Sequence, residues 1–233
     1  MSATRSTERL IAEPEPTPRI GRSEITRAAI LDAAFEFLWS RPFREMSVNT
    51  LMAQTSMSRP AFYQYFDDIY DLMDTLLKTL EAEILEMVMP WFSEDGDPVA
   101  LLYSSLAEQA RVLYRRGPFL KAVSDAAGSD ARVESAWQEF LRGFDDAVSE
   151  RIAADQALGL IKPFEPRPVA IGLVRLDAYM FIQAFGQKPR SRPGPVLDAN
   201  IRVWISTLYG ERWADSHKST LVRKQTTDSA GPG

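Results

Sequence analysis

Cysteine is absent from this chain of 233 residues, and histidine occurs once, at His217. Without thiolates there is no disulfide framework and no cysteine-based metal site, and one imidazole cannot form a histidine cluster. Positive charge is scarce as well: 27 lysines and arginines face 32 acids, for a net charge of −5. That balance excludes a protein that coats a polyanion through a broad basic field. No apolar run approaches the roughly 18 residues needed to cross a bilayer. Nor does the chain start with the basic stretch and apolar core of a secretion signal. A soluble cytoplasmic protein with no membrane partner is therefore expected. Glycine-rich phosphate loops, the HExxH zinc pattern and the nucleophile elbow are missing. No carboxylate pair stands out as a placed acid and base. The expectation is a protein that is not an enzyme and takes neither cofactor nor metal.

No segment alternates cleanly between apolar and polar residues, so strands are not expected. Helical periodicity fills the chain instead. Residues 1 to 21 carry Pro14, Pro16 and Pro18 among charged and small residues, the composition of a disordered arm. From near Ser23, Ile25, Ala28, Ala29, Leu31, Ala33, Phe35, Leu38 and Trp39 form a mostly apolar helix that ends before Pro42. Two short helices follow, and then a long one from about Asp68 toward Pro90, with Leu72, Leu76, Leu80, Ile84 and Met87 on one stripe. Asp97-Pro98 is a start signal, an N-cap followed by a proline in the first helical position. The helix it opens is expected to stop at Gly117-Pro118, with a short helix over 119 to 127 beyond it. Further helices are expected over about 130–158, 168–186 and 195–209, before a polar tail. The architecture is all-α: a three-helix head over 22–67, a larger helical body over 68–211, and flexible ends at 1–21 and 212–233.

The most informative stretch is Ser47 to Phe66, which reads as two short helices joined by a tight turn. Ser47 and Ser58 each precede a helix and are able to cap it. Pro60 falls in a first turn, where its missing N–H costs nothing. The second helix carries Arg59, Tyr63, Gln64 and Tyr65 on a polar-aromatic surface, with Phe62 and Phe66 four apart on the inward side. A short capped helix with an arginine in its first turn has the shape of a major-groove reading head.

These features together, and the string Ser58-Arg-Pro-Ala-Phe-Tyr-Gln-Tyr-Phe66 above all, resemble the TetR family of bacterial transcriptional regulators. The body, with Trp137, Phe140 and Phe144 and a last helix from Val196 to Glu211, is most similar to that of a mycobacterial repressor in the family. The resemblance implies a homodimer whose last two helices form a four-helix interface, with two heads that dock on a palindromic operator in double-stranded DNA. It also implies a cavity in the body for a small hydrophobic effector that releases the DNA. The expected function is thus a ligand-responsive regulator acting as a repressor. The alternative is a helical sensor or interaction module that has lost strong DNA binding.

Within that resemblance Arg59 is the candidate base reader, since a guanidinium pairs bidentately with guanine; the alternative is a solvated first-turn arginine. Asn49 matches a position that reaches a base edge or phosphate, or else makes only local bonds. Pro60 and Ala61 are candidates for a thymine methyl, and Gln64 for adenine or the backbone. Tyr63 and Tyr65 match phosphate contacts, which orient without reading sequence; the alternative, for aromatic residues this dense on a short helix, is core. Ser47 and Ser58 present first-turn amides to a phosphate. Three departures weaken the pattern: Ser56 stands where the turn usually has glycine, Met52 and Thr55 replace small alanines, and Ile69 replaces a phosphate-binding lysine. From Arg22 to Asp68 there are five arginines, no lysine and six acids, so the head is net −1.

In the body, Trp137, Leu141, Phe144 and Trp204 match pocket-lining positions by resemblance. Tyr103, Leu106 and Tyr179 are candidates from helical faces alone, where ordinary core packing is the competing explanation. In the penultimate helix, Val174 and Asp177 align with two asparagines of the mycobacterial relative. If Asp177 faces the cavity, it favours a ligand with a hydrogen-bond donor or cationic group; otherwise it is a surface or dimer-interface acid. Arg175 is its sequence neighbour but points elsewhere on the helix.

Overall fold

The computed structural model describes residues 22–93 and 96–210. The expected arm at 1–21 and the tail at 212–233, His217 included, lie outside the described residues. Eight α-helices and one 3-10 turn account for the architecture, and there is no strand among the described residues. In chain order they are α1 (Arg22–Ser40), the 3-10 turn Phe43–Glu45, α2 (Val48–Met52), α3 (Arg59–Phe62), α4 (Ile69–Ser93), α5 (Pro98–Ala127), α6 (Ala131–Ala157), α7 (Pro166–Phe185) and α8 (Pro193–Leu208).

Local signals explain most of the starts. Ser47 and Thr50 form a reciprocal capping box at α2: the Ser47 hydroxyl accepts from the Thr50 amide at 3.1 Å, and the Thr50 hydroxyl accepts from the Ser47 amide at 2.8 Å. Asp97 accepts from the Val99 amide at 3.0 Å, and Asp130 accepts from the amides of Arg132 and Val133. Ser58 departs from expectation. It occupies the N-cap position of α3, but its side chain makes no cap bond there.

The head packs on one small core. Ile30, Ala34, Phe37 and Leu38 of α1 meet Leu51, Phe62 and Phe66, all buried. The opening turns of α1 do not join it, and Ile25 remains 58% exposed. The head is held to the body through α5: the Phe35 and Phe119 rings meet edge to face at 5.2 Å, and the Arg116 guanidinium lies 4.0 Å from the Phe35 ring centre.

α5 is the spine of the body, packing against α1, α4, α6, α7 and α8. It was expected to stop at Gly117-Pro118, and it runs through them. The reason is a substitute donor. Proline at 118 has no N–H for the carbonyl of Tyr114 one turn earlier, and the Arg190 guanidinium donates to that carbonyl instead. Arg190 also lies over the rings of Tyr114 and Trp39. Gly117 serves a different need, since a β-carbon there would sit 2.5 Å from the Phe185 carbonyl oxygen. Glycine therefore lets α5 and α7 approach to backbone contact.

α7 is long and apolar enough by composition to cross a membrane, which the reading of apolar runs did not anticipate. In this fold its Leu173, Phe181, Ile182 and Phe185 are buried, and it packs on α5 and α6. Its two central charges have partners inside the fold. Arg175 holds buried Asp145 of α6 in a bidentate pair at 2.9 and 3.0 Å, and Asp177 accepts from Trp204. Gly117→Ala is expected to cost about 1–3 kcal/mol by forcing α5 from α7, read as a lowered denaturant midpoint with secondary structure retained.

Candidate functional site

Two places merit attention, the outer face of α3 and the interior of the body. On α3, Phe62 is fully buried and Phe66 nearly so. The short helix is thereby pinned, with Ser58, Arg59, Pro60, Tyr63 and Gln64 exposed. Ser47 and Asn49 of the preceding turn are exposed as well. Ala61 and Tyr65 are half-buried, and Tyr65 packs against the core. The Arg59 guanidinium donates to the Tyr63 hydroxyl at 3.1 Å and lies over the Tyr63 ring. An i, i+4 pair of this kind holds the arginine upright on the surface of the helix. The surface thus offers a fixed guanidinium, a phenol and an amide side by side, a set that suits base edges and phosphates.

Inside the body, α4, α5, α6, α7 and α8 enclose a cavity of about 60 Å³. Aromatic side chains make most of the wall: Trp91 and Phe92 from α4, Trp137, Phe140 and Phe144 from α6, and Trp204 from α8. Trp91 and Trp204 meet edge to face at 5.9 Å, and Trp137 stacks on Phe140. Polar lining is confined to Ser105, Gln109 and Asp177. The Ser105 hydroxyl donates to the Val88 carbonyl, and the Trp204 indole N–H donates to Asp177 Oδ1 at 2.8 Å.

Of the residues expected to line a pocket, Leu106, Trp137, Leu141, Phe144, Val174, Asp177 and Trp204 line this cavity. Tyr103 and Tyr179 do not. Tyr179 is 65% exposed on the outer face of α7, and Tyr103 is half-buried away from the lining. A helical face read from sequence does not say which side of a two-sided helix meets the interior. Trp91, Ser105 and Gln109 were missed. Gln109 had a signal, because it interrupts the apolar stripe Leu102, Leu106 and Leu113 with one amide.

The description "Bacterial regulatory proteins, tetR family" matches residues 30–76, and "Transcriptional regulator EthR, C-terminal domain" matches residues 105–210. The HTH-type transcriptional regulator EthR of Mycobacterium tuberculosis is 24% identical over 192 residues, covering 78% of this chain and 87% of the relative. Among solved structures, a TetR-family transcriptional regulator from Syntrophomonas wolfei superposes with a TM-score of 0.70 at 16% identity, covering 79% of this chain and 95% of that one. AibR in complex with isovaleryl coenzyme A and operator DNA superposes with a TM-score of 0.61 at 16% identity, covering 79% and 98%. The chain belongs to the tetR family.

The departures from the family resemblance have definite places in the structure of this TetR-family transcriptional regulator. Ile69, where a lysine is usual, is buried and packs into the core, so it is unavailable to a phosphate. Ser56 carries no left-handed strain, because no non-glycine residue has a positive φ among the described residues. Asp177 is the sharpest departure. Burial pushes its carboxyl up from the ordinary 3.8 to about 7, with Trp204, Asn200 and Gln109 offsetting part of the rise.

The sign of the consequence follows from linkage. The folded state keeps the Asp177 proton to about pH 7, whereas the unfolded chain releases it near 3.8. Stability is therefore lost as pH rises between those values, by up to about 4 kcal/mol. Asp177→Asn keeps an acceptor for Trp204 without the charge. It is expected to be more stable than the natural chain at pH 8 and to lose that advantage toward pH 4, checked by urea melts across the range.

Proposed function

We propose that the chain is a repressor that binds a palindromic operator as a homodimer and is released by a hydrophobic small molecule. In this reading residues 22–67 form the DNA-binding unit and 68–211 the effector-binding and dimerising body. The set Ser47, Asn49, Ser58, Arg59, Pro60, Ala61, Tyr63, Gln64 and Tyr65 meets the duplex, with Arg59 reading a base and the tyrosines on phosphates, Ala61 and Tyr65 through the part of each that stays exposed. The observation that carries the proposal is a shared helix. α4 supplies Ile84, Val88 and Trp91 to the cavity wall, and its first turn follows α3 within a few residues. A molecule that parts the cavity wall moves the rod to which the DNA-facing helix is joined.

A second link runs through α6. Arg132 at its first turn donates to Asp68 Oδ2 at 3.0 Å and lies 3.5 Å from the Tyr70 ring centre. Burial pushes the Asp68 carboxyl up, but the amides of Asp71 and Tyr70 and the Arg132 guanidinium outweigh it and hold it below its ordinary range. Displacement of the aromatic wall on α6 is thereby felt at the entry to α4. Dimerisation is assigned to α7 and α8, whose outer faces expose Ile171, Tyr179 and Val203; that gives Tyr179 a role at the interface in place of the cavity. AibR, a structural neighbour, was solved with both a coenzyme A thioester and operator DNA, in keeping with a fold that serves both partners.

The competing reading, a helical sensor that has lost strong DNA binding, is favoured by the buried Ile69 and the net −1 head. Selection of duplexes from a random library by the purified protein separates the two, since a pure sensor enriches no palindrome. With the selected operator in hand, Arg59→Ala is expected to reduce discrimination between operator and mismatched duplex by about 1–3 kcal/mol. Electrophoretic mobility shift measures it, and an unchanged sequence preference removes Arg59 from the reading set.

A further inference from the structure

Three aspartates are buried among the described residues: Asp145, Asp155 and Asp177. Two of them have an arginine. Asp145 is held by Arg175 in a bidentate pair, and Asp155 faces Arg151 at 3.0 Å while accepting from the Tyr209 hydroxyl at 2.7 Å. Asp177 has none. Its neighbours are the indole N–H of Trp204 and the side-chain amides of Asn200 and Gln109, all neutral. It is also the one of the three that lines the cavity, and no lysine, arginine or histidine lines the cavity with it. A buried carboxylate without a cation is an expensive arrangement, relieved by protonation or by a partner of opposite charge.

Beside it lies a second incomplete group. Asn200 is fully buried, and neither its amide oxygen nor its amide nitrogen makes a hydrogen bond of good geometry. It stands close enough to Asp177 to act on its charge. Asn200 is not itself in the cavity lining; Trp204, which donates to Asp177, and Trp91, which meets Trp204 edge to face, are. The carboxylate and the amide oxygen of Asn200 are acceptors, which an ammonium group can complete through its three donors, and the neighbouring indoles add cation–π attraction.

We propose that the effector of this regulator is an amphiphilic amine, its apolar chain among the aromatic side chains of α4 and α6 and its ammonium group on Asp177. The inference rests on the reading of the cavity as the effector site and names the ligand class. An acid of the same length meets Asp177 as a like charge and finds no cation in the lining. An alcohol fits without supplying the missing charge.

The cavity of about 60 Å³ is well below the roughly 300–1,000 Å³ typical of ligand sites. Any chain therefore has to part the wall, and probes of matched length cancel that cost. The test titrates octylamine, octanol and octanoate into the full-length protein at pH 8, followed by calorimetry and by tryptophan fluorescence. The amine is expected to bind about ten-fold or more tightly than either of the others, as a charge-assisted bond requires. In Asp177→Asn the amine-to-alcohol ratio is expected to collapse toward one. Equal binding of the three, tightest binding by octanoate, or an amine preference that survives Asp177→Asn each overturns the assignment while leaving the cavity as a ligand site. Binding of none removes the cavity reading and this proposal together.

Discussion

One carbonyl without a helical partner sets terms for the whole molecule. Pro118 cannot donate to Tyr114, and Arg190 reaches in from the connection between α7 and α8 to supply the missing hydrogen bond. α5 consequently stays continuous over thirty residues. Its first part gives Leu102, Ser105, Leu106 and Gln109 to the cavity, and its later part holds Phe35 of the head through Arg116 and Phe119. A break at residue 117 would divide this second tie between cavity and head and leave α4 as the continuous helix between them. The same guanidinium lies over Trp39 of α1, so the device that repairs the helix also ties the head to the far end of the body.

That repair marks the boundary of what could be read from the residues in order. Gly117-Pro118 is a proper local stop signal, and it was overridden by a side chain 72 positions further along the chain. No window along the sequence contains that information. Where the deciding contact is local, the reading succeeded: Ser47 and Thr50 cap α2, Asp97 and Pro98 open α5, and Phe62 and Phe66 point inward. The cap expected at Ser58 failed because competence to accept a bond does not ensure that the backbone presents the amide. Tyr103 and Tyr179 were misplaced because α5 and α7 each meet more than one neighbour, which leaves several faces with apolar residues. The pairing of Arg175 with Asp145 was out of reach for the same reason as Arg190.

Among the described residues, two of the body's three buried acids are tied by charge outside the cavity lining. Asp145 and Asp155 are fixed by arginines, and Trp91 donates to Tyr209 at 3.2 Å, which in turn donates to Asp155, so the ends of α4, α6 and α8 are joined by one polar chain. Burial and the Asp155 carboxylate both push the Tyr209 hydroxyl up, keeping it a donor. Against this frame the cavity wall is made of aromatic contacts that can slide, around one acid held far from its ordinary titration range. A site that is unfavourable when empty and surrounded by rigid ties concentrates any response to occupancy in the helices that line it.

In the proposed repressor the head turns that response into a difference in DNA affinity with little electrostatic help. Of its five arginines, Arg27, Arg41 and Arg59 each lie over an aromatic ring of the head itself, on Phe66, Phe37 and Tyr63. Stacking restricts these long side chains before any duplex arrives, which lowers the ordering cost of each contact. A net −1 unit gains less from counterion release than a basic one, so weak non-specific binding, with affinity that depends more on correct seating, is what the proposal implies. On the same proposal, weak background binding makes a small displacement of α4 sufficient for release, because a head that loses its register has little attraction left to hold it on the phosphates. The scarcity of lysine and the buried Ile69, which count against strong DNA binding by one head, thus suit the proposal of paired heads whose spacing a ligand controls.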